Sequence, residues 1–321
     1  MPENHFLIGG VSSKLLLDVI EICCKLPDVN LEVHKNHDDN LWWPLYVTDW
    51  RLRMIFAGWS TRISYNMINT YRRVVSDVHK KGYDSLITIS DQELRQLIGS
   101  LGLFDLRKKF MRSMVAFIQS FIDPQSELLL KSNDELIELI VENVNGASYK
   151  VSQCAALYAK GYYCGVFPID SGMKDLLGPC LGLSLPSGPI ANEVMRHYIE
   201  NNLYRVSDEL HQIAFDNGYS DLNIPKSVTP IWWAHLVLIY FKRLYCNKKK
   251  PNLCPLRANS KTNGFMGMMC DRQFPESGGF KYIILEGPDK SGKTTLAKCL
   301  NDIGYTIIHS SYNPDHKSFR I

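Results

Sequence analysis

The sequence predicts a mostly α-helical protein, followed near its C-terminus by the start of an α/β unit. From residue 49 to 246 apolar side chains recur at spacings of three and four, as in helices that bury one face. After residue 280 a short apolar run is followed at once by a helical pattern, the one clear β-then-α unit in the chain. The 321 residues are 45% hydrophobic and 21% charged, which fits a folded protein of about two domains.

The first part of the chain, residues 1–45, shows no clear period and is described as an N-terminal segment. A helical pattern follows over 51–79, and Gly82 is expected to end it. Ser90 and Glu93 have the spacing of a capping box, in which each side chain binds the backbone amide of the other residue. A further helix is therefore predicted to begin at this point.

The helical domain is predicted to cover residues 46–246. Asp170 has the position of an N-cap for a helix that starts at Ser171. Residues 247–280 are rich in Lys, Gly, Asn and Pro and predict a basic, cysteine-containing linker, and 281–321 form the C-terminal unit. Five more helices are predicted over residues 105–122, 134–144, 149–160, 193–215 and 230–246.

Charge and cysteine usage narrow the function classes. The net charge of +3 neither requires nor excludes nucleic acid, so any basic surface must be local. Nine cysteines, with Cys23 next to Cys24, do not fit a secreted disulfide framework. The longest apolar stretch, 231–241, is interrupted by His235 and is shorter than the ~20 residues that span a bilayer. We expect a protein of a reducing compartment without a membrane segment or signal peptide.

Residues 287–294 fit the phosphate-loop pattern G-x-x-x-x-G-K-[ST], with a strand before it and a helix after it. In such a loop the backbone amides surround a phosphate, Lys293 neutralises phosphate oxygens and the Thr294 hydroxyl binds Mg²⁺. The pattern predicts ATP and Mg²⁺ as cofactors, with Thr294 as the metal ligand. The predicted nucleotide-binding residues are Gly287, Asp289, Lys290, Ser291, Gly292, Lys293, Thr294 and Thr295.

The stretch YIILEGPDKSGKTTLAKCL, residues 282–300, resembles the start of P-loop kinases similar to thymidylate kinase. In those proteins this loop holds ATP. A whole kinase domain needs on the order of 100–200 residues, whereas the resemblance covers only 281–321. We therefore expect an incomplete P-loop unit that transfers no phosphoryl group as it stands.

Two motifs in the helical region carry a second resemblance. Asn145-Gly-Ala-Ser-Tyr-Lys150 joins two predicted helices, and Pro168-Ile-Asp-Ser-Gly172 follows twenty positions later. They resemble the hairpin L-P-G-V-G-x-K-T-A and the later V-D-T-x-V of helix-hairpin-helix DNA glycosylases of the endonuclease III type. This resemblance extends over about 49–256. It implies that Lys150 is the catalytic lysine and Asp170 the catalytic aspartate, and that Gly146, Ala147 and Ser148 hold a DNA phosphate.

The residues themselves leave a simpler interpretation open. Lys150 also fits a solvated lysine in the first turn of a helix, and Asp170 fits a plain N-cap. Trp59, on a segment that would line a flipped-base pocket, is a candidate for stacking. Lys248, Lys249 and Lys250 are candidates for binding the DNA backbone, or else belong to a solvated linker.

Several members of the glycosylase superfamily bind a [4Fe–4S] cluster through four cysteines near the end of the helical domain. This chain offers Cys246, Cys254 and Cys270 there, without a C-x₂-C pair. Four thiolates are the usual requirement. We therefore expect the iron–sulfur cluster to be absent.

Three functions follow from these resemblances. The first is a DNA-binding enzyme that flips a modified base and acts at its N-glycosidic bond, as in base excision, with Lys150 and Asp170 as the reacting pair. The second is a kinase of 5-hydroxymethyluracil in DNA, similar to viral DNA-hypermodification proteins, whose helical part presents the base. The third is a non-catalytic DNA-binding module. We expect DNA and a nucleotide as partners, and a cytoplasmic location, in the host cytoplasm for a virus or also the nucleus for a eukaryote.

Overall fold

The computed structural model describes residues 12–39, 44, 46–181, 188, 190–246 and 254–259. All of them lie in the first of the two units, 1–272 and 273–321, into which the chain divides. The described residues are mainly helical and include no strand, which confirms the mainly α fold class. The α-helices are α1 Ser13–Cys24, α2 Pro27–Asp39, α3 Trp50–Trp59, α4 Ile68–Lys81, α5 Tyr83–Thr88, α6 Asp91–Ile98, α7 Phe104–Gln119, α8 Pro124–Leu129, α9 Asn133–Asn143, α10 Tyr149–Lys160, α11 Ser171–Asp175, α12 Ala191–Tyr204, α13 Ser207–Asp216, α14 Ile231–Leu244 and α15 Pro255–Ala258.

Two helices, α10 and α14, form the centre of the core. Every residue from Val151 to Ala159 and from Ile231 to Phe241 is buried. A helix that is buried all round has neighbours on every side. Here α10 packs against α3 and α9, and α14 packs against α1, α2 and α11.

The helix starts follow their sequence signals. Ser90 and Glu93 form the predicted capping box, and α4 ends before Gly82, whose φ of 78° needs a residue without a Cβ. A second capping box, Ser132 with Glu135, opens α9 and had not been predicted. The helix predicted over 149–160 has the bounds of α10.

The helix predicted over 51–79 is divided, because the chain leaves the helical path after α3. Arg107 of α7 donates hydrogen bonds to the carbonyl oxygens of Trp59 and Thr61, the latter at 3.1 Å. These carbonyls would otherwise accept from the next turn of a continuing helix. Arg62 follows with a φ of 55°, and α4 begins only at Ile68. The pattern at 193–215 is likewise two helices, α12 and α13, separated at residues 205–206.

The described part of the N-terminal segment belongs to the packed core. α1 buries its apolar face against α12, α13, α14 and α15, and α2 packs on α14. The Tyr219 hydroxyl donates to the Cys24 carbonyl at 2.9 Å, and Asn30 Nδ2 donates to the Asn217 carbonyl at 3.2 Å. Most side chains of α2 are polar, so the sequence of this helix shows no clear apolar period.

No helix among the described residues is long and apolar enough to cross a membrane. The phosphate loop at 287–294, the predicted strand before it at 281–286, and Lys248–Lys250 lie outside the described residues. The predictions made for them therefore stay predictions.

Candidate active-site cleft

A cavity of about 830 Å³ lies where the hairpin between α9 and α10 meets α3, α7, α11 and α14. It is lined by hairpin residues, by one face of α10, and by side chains from the start of α11 and the length of α14. Lys150 and Asp170, twenty residues apart in the sequence, both line it, together with Gly146 and Ser148. The structure thus brings the two predicted catalytic residues and the predicted hairpin to one cavity.

Lys150 lies in the first turn of α10 and is half-buried. Its ammonium group hydrogen-bonds the thiol of Cys154, one turn further along the same helix face. Burial raises the pKa of Cys154, so this partner stays a neutral thiol and a weak acceptor. No ion pair within 4.0 Å holds Lys150 among the described residues, which leaves the amine available to a ligand in the cavity.

Asp170 is the N-cap of α11, as predicted, and accepts from the Met173 amide at 2.8 Å. A carboxylate has two oxygens and about four lone-pair directions, so capping uses only part of its capacity. Gly172 gives the carboxylate room, because a Cβ there would come within 3.2 Å of Asp170 Oδ1. The N-cap role and a role in the cavity are therefore compatible.

The pair shares close neighbours. The charges of Lys150 and Asp170 both act on the thiol of Cys154 and on the imidazole of His235, which also line the cavity. Electrostatic effects of this kind fall off with distance and are strongest where water is excluded. Lys150 and Asp170 therefore line the cavity close enough to Cys154 and His235 for their charges to act on both.

The hairpin that precedes Lys150 is built from its backbone. Gly146 has a φ of +84°, and the Ala147 amide closes the turn on the Val144 carbonyl at 3.0 Å. Ser113 of α7 fixes the turn by accepting from the Asn145 amide at 2.9 Å. Ser148, where the glycosylases have glycine, has an ordinary φ of −86° and makes no side-chain cap, so the first amides of α10 have no such partner.

The cavity wall is strongly cationic. Among its described lining residues, one carboxylate, that of Asp170, faces six basic side chains. Arg107 is buried and used in binding backbone carbonyls, whereas the others are half-buried or exposed. The excess of positive charge favours an anionic ligand. The six cations are Arg62, Arg107, Lys109, Lys150, Lys174 and Arg243.

Apolar and aromatic groups complete the lining. Leu103 and Leu106, at the start of α7, are 46% and 58% exposed, and Leu103 has a φ of 50°. On the opposite wall the rings of Trp232 and His235 stack with centroids 5.1 Å apart, and Tyr162 stacks on the far face of Trp232 at 5.6 Å. The cavity therefore offers cations and apolar side chains, while the stacked faces of the Trp232 ring are covered by its two neighbours.

The imidazole of His235, which no sequence pattern predicted as part of the site, is uncharged. Burial lowers its pKa to about 4, opposed by the nearby charge of Asp170. The ring packs edge-on against Phe167, with centroids 5.0 Å apart, and its Nδ1 is buried without a hydrogen-bond partner among the described residues. No periodicity marks His235 as functional, because it lies in a fully buried helix 65 residues after Asp170.

The hypothesis that Trp59 stacks on a base is wrong. Its side chain is fully buried in the core, and its indole N–H donates to the Arg107 carbonyl at 3.2 Å. Trp232 is the tryptophan that lines the cavity. The two were indistinguishable by composition, since both lie in helices with apolar neighbours.

The cysteines that were compared with iron–sulfur ligands lie in different surroundings. Cys246, at the end of α14, accepts from Lys242 Nζ at 3.1 Å, while Cys254 is buried close to Cys23 of α1. Cys270 lies outside the described residues. Within the described ranges one group has metal-ligand geometry, formed by Asp134, Glu193 and His197.

Comparisons with protein families, with curated proteins and with solved structures found no match to this chain. The resemblances to glycosylases and kinases therefore rest on the motifs themselves. The chemistry of the cavity is the remaining basis for assigning a function.

Proposed function

We propose that the helical domain is a DNA-binding enzyme that takes a base out of the helix and acts at its N-glycosidic bond. The observation that carries this proposal is the cavity in which Lys150 and Asp170 lie together beside the hairpin. A primary amine and a carboxylate that line one cavity with apolar walls suit nucleophilic attack on a sugar carbon.

Phosphate binding is supported by two features on the same side of the site. The hairpin presents the N-terminus of α10, whose first amides have no side-chain cap. Four further basic side chains line the cavity: Arg62, Lys109, Lys174 and Arg243. Contacts of this kind hold the DNA backbone without reading its sequence.

Base extrusion is supported by the apolar lip. Leu103 and Leu106 are exposed leucines next to the cationic wall. Contact between these apolar side chains and water is unfavourable unless a partner covers them. Apolar side chains of this kind fill the gap left in a base stack when a nucleotide is extruded. The extruded base would then meet the Trp232 and His235 wall.

The reaction assigned to the pair is displacement of the base. The ammonium group of Lys150 first gives a proton to water. The resulting amine forms a bond to C1′ as the bond from C1′ to the base breaks, and the base leaves with that electron pair and gains a proton. Asp170 stabilises the positive charge that develops at C1′. The attached nitrogen then gives one proton to the ring oxygen as the bond from C1′ to that oxygen breaks and the sugar ring opens. It loses a second proton to water, which leaves an imine between Lys150 and the deoxyribose.

Borohydride trapping tests this function. The full chain is incubated with duplexes that carry modified pyrimidines, 5-hydroxymethyluracil first, or an abasic site. We expect a covalent protein–DNA adduct that Lys150→Gln abolishes. Lys174→Gln, which removes another lysine of the same cavity, is the matched control and should still be trapped.

Two results would contradict the proposal. If no base is released and no adduct forms while DNA still binds, the domain is a binding module. If Lys150→Gln is trapped as well as the wild type, the amine that reacts is a different one.

Nucleotide binding at residues 287–294 is a separate proposal that rests on the sequence pattern. Equilibrium dialysis with ATP and Mg²⁺ should show binding that Lys293→Ala weakens. Labelled phosphate appearing on 5-hydroxymethyluracil in DNA would favour the alternative of a DNA kinase.

A further inference from the structure

The chain segment that leads to Asp170 is buried without belonging to a helix or a strand. Residues 165–169 are buried, and buried backbone groups need hydrogen-bond partners. In a helix the backbone supplies them, but here side chains do. Four side chains from three helices contact the segment: Gln153, Asn192 and Glu200 by hydrogen bonds, and His235 by packing its ring on Phe167.

These contacts follow the backbone step by step. The Phe167 amide donates to Glu200 Oε1 at 2.8 Å, and the Ile169 amide donates to Gln153 Oε1 at 2.9 Å. Asn192 Nδ2 donates to the Ile169 carbonyl at 2.7 Å. The His235 ring packs edge-on against the Phe167 ring, with centroids 5.0 Å apart. Both polar groups of Ile169 are thus held by side chains immediately before Asp170.

Two of these side chains, those of Gln153 and Glu200, are themselves held in place. Gln153 Nε2 donates to Glu193 Oε2 at 2.8 Å, and Arg196, 1% exposed, binds Glu193 through Nε at 3.0 Å and Glu200 through Nη1 at 2.7 Å. Arg196 also reaches Asp134 on α9. The oxygens of the group with metal-ligand geometry are therefore already occupied by a guanidinium, and its role is structural.

Gln153 has a special position in this arrangement. It lies on α10, three residues after Lys150, so one rigid helix carries the lysine and also binds the residue next to Asp170. Asn192 holds the opposite side of the same residue from α12. Together they fix the Asp170 carboxylate relative to the Lys150 amine.

We infer that Gln153, Asn192, Glu200 and His235 are positioning residues that hold Asp170 at the reacting centre. This inference rests on the proposed function. A displacement of about 1 Å at a reacting group can reduce the rate on the order of 100-fold. The substitution that causes the displacement can lie at a residue that does not itself contact the ligand. The segment is where this site admits such a displacement, because no regular secondary structure restrains it.

The test compares Asn192→Asp with Asn202→Asp. Both asparagines lie on α12 and both donate Nδ2 to a backbone carbonyl, Asn192 to Ile169 and Asn202 to Tyr198 at 2.8 Å. Asn192→Asp should lower single-turnover base release about 10- to 100-fold while the Kd for DNA stays within threefold. Asn202→Asp should change neither. Equal rates for the two variants would overturn the inference.

A readout that needs no activity separates this inference from the proposed function. The Met173 amide donates to the Asp170 carboxylate, so its hydrogen exchange reports how firmly that carboxylate is held. Exchange at Met173 should be faster in Asn192→Asp and unchanged in Asn202→Asp, even if the wild type releases no base. Unchanged exchange in Asn192→Asp would overturn the inference whatever the activity.

Gln153→Met provides a second variant of similar volume. It removes all three hydrogen bonds of a fully buried amide and leaves α10 and Lys150 in place. It should give the same separation between base release and DNA affinity. A loss of DNA affinity as large as the loss of rate would instead indicate a general defect of the fold.

Discussion

The two sides of the cavity are built in different ways. Lys150 lies on α10, a buried helix whose backbone satisfies its own hydrogen bonds. Asp170 follows an irregular segment whose hydrogen bonds come from α10 and α12 and whose Phe167 ring packs on His235 of α14. The position of Lys150 therefore depends on local helix formation, whereas that of Asp170 depends on side chains 17 to 65 residues away. Substitutions distant in sequence should affect the aspartate side more than the lysine side.

Replacing the aspartate itself is expected to have the largest effect. Asp170→Asn keeps an oxygen for the Met173 amide but loses the charge that stabilises the developing cation. Base release should slow by about 10²- to 10³-fold, with DNA binding intact. Asp175→Asn is the control. Asp175 lies at the other end of α11, where its Oδ2 is 3.6 Å from Lys242 Nζ. Equal rates in the two variants would remove Asp170 from the chemistry.

On the side of the cavity that carries Lys150, the largest effect is expected from a substitution that disturbs helix packing. A Cβ on Gly58 of α3 would lie 2.1 Å from the Phe110 ring of α7, which is an overlap with a buried ring. Gly58→Ala should therefore cost about 1–3 kcal/mol of unfolding free energy or more. At Gly99 the nearest atom is 3.7 Å away, so Gly99→Ala should change stability little. Denaturant unfolding of both variants measures the difference, and similar stabilities would contradict the close approach of α3 and α7.

The sequence predicted the lysine side better than the aspartate side, for a physical reason. The bounds of α10, the N-cap role of Asp170 and the capping box at Ser90 follow from patterns within a few residues, and the structure confirms them. The partners of the segment before Asp170 come from three helices far along the chain. Their pairing is set by tertiary packing, and no local pattern distinguishes buried Gln153 or His235 from other core residues.

Acidity should affect the aspartate side through Glu200. Burial raises its pKa from 4.5 to about 7, opposed by Arg196 and by the Phe167 amide. Between these values the folded protein keeps a proton that the unfolded chain has lost, so stability falls as pH rises from about 4.5 to 7. The slope is at most about 1.4 kcal/mol per pH unit. Glu200→Gln should remove this part of the pH dependence, and parallel stability curves for the two proteins would contradict it.

The smallest effects per residue are expected for the cations that surround the reacting pair. Each phosphate that a basic side chain neutralises contributes roughly −0.9 to the slope of log K against log salt. Replacing Lys248, Lys249 and Lys250 together by Gln should flatten that slope if these lysines hold DNA. Replacing Arg62 and Lys109 by Gln tests the cavity wall in the same way. A slope unchanged in the first variant and reduced in the second would assign phosphate binding to the cavity and leave 248–250 as a linker. A slope unchanged in both would contradict electrostatic DNA binding by this chain.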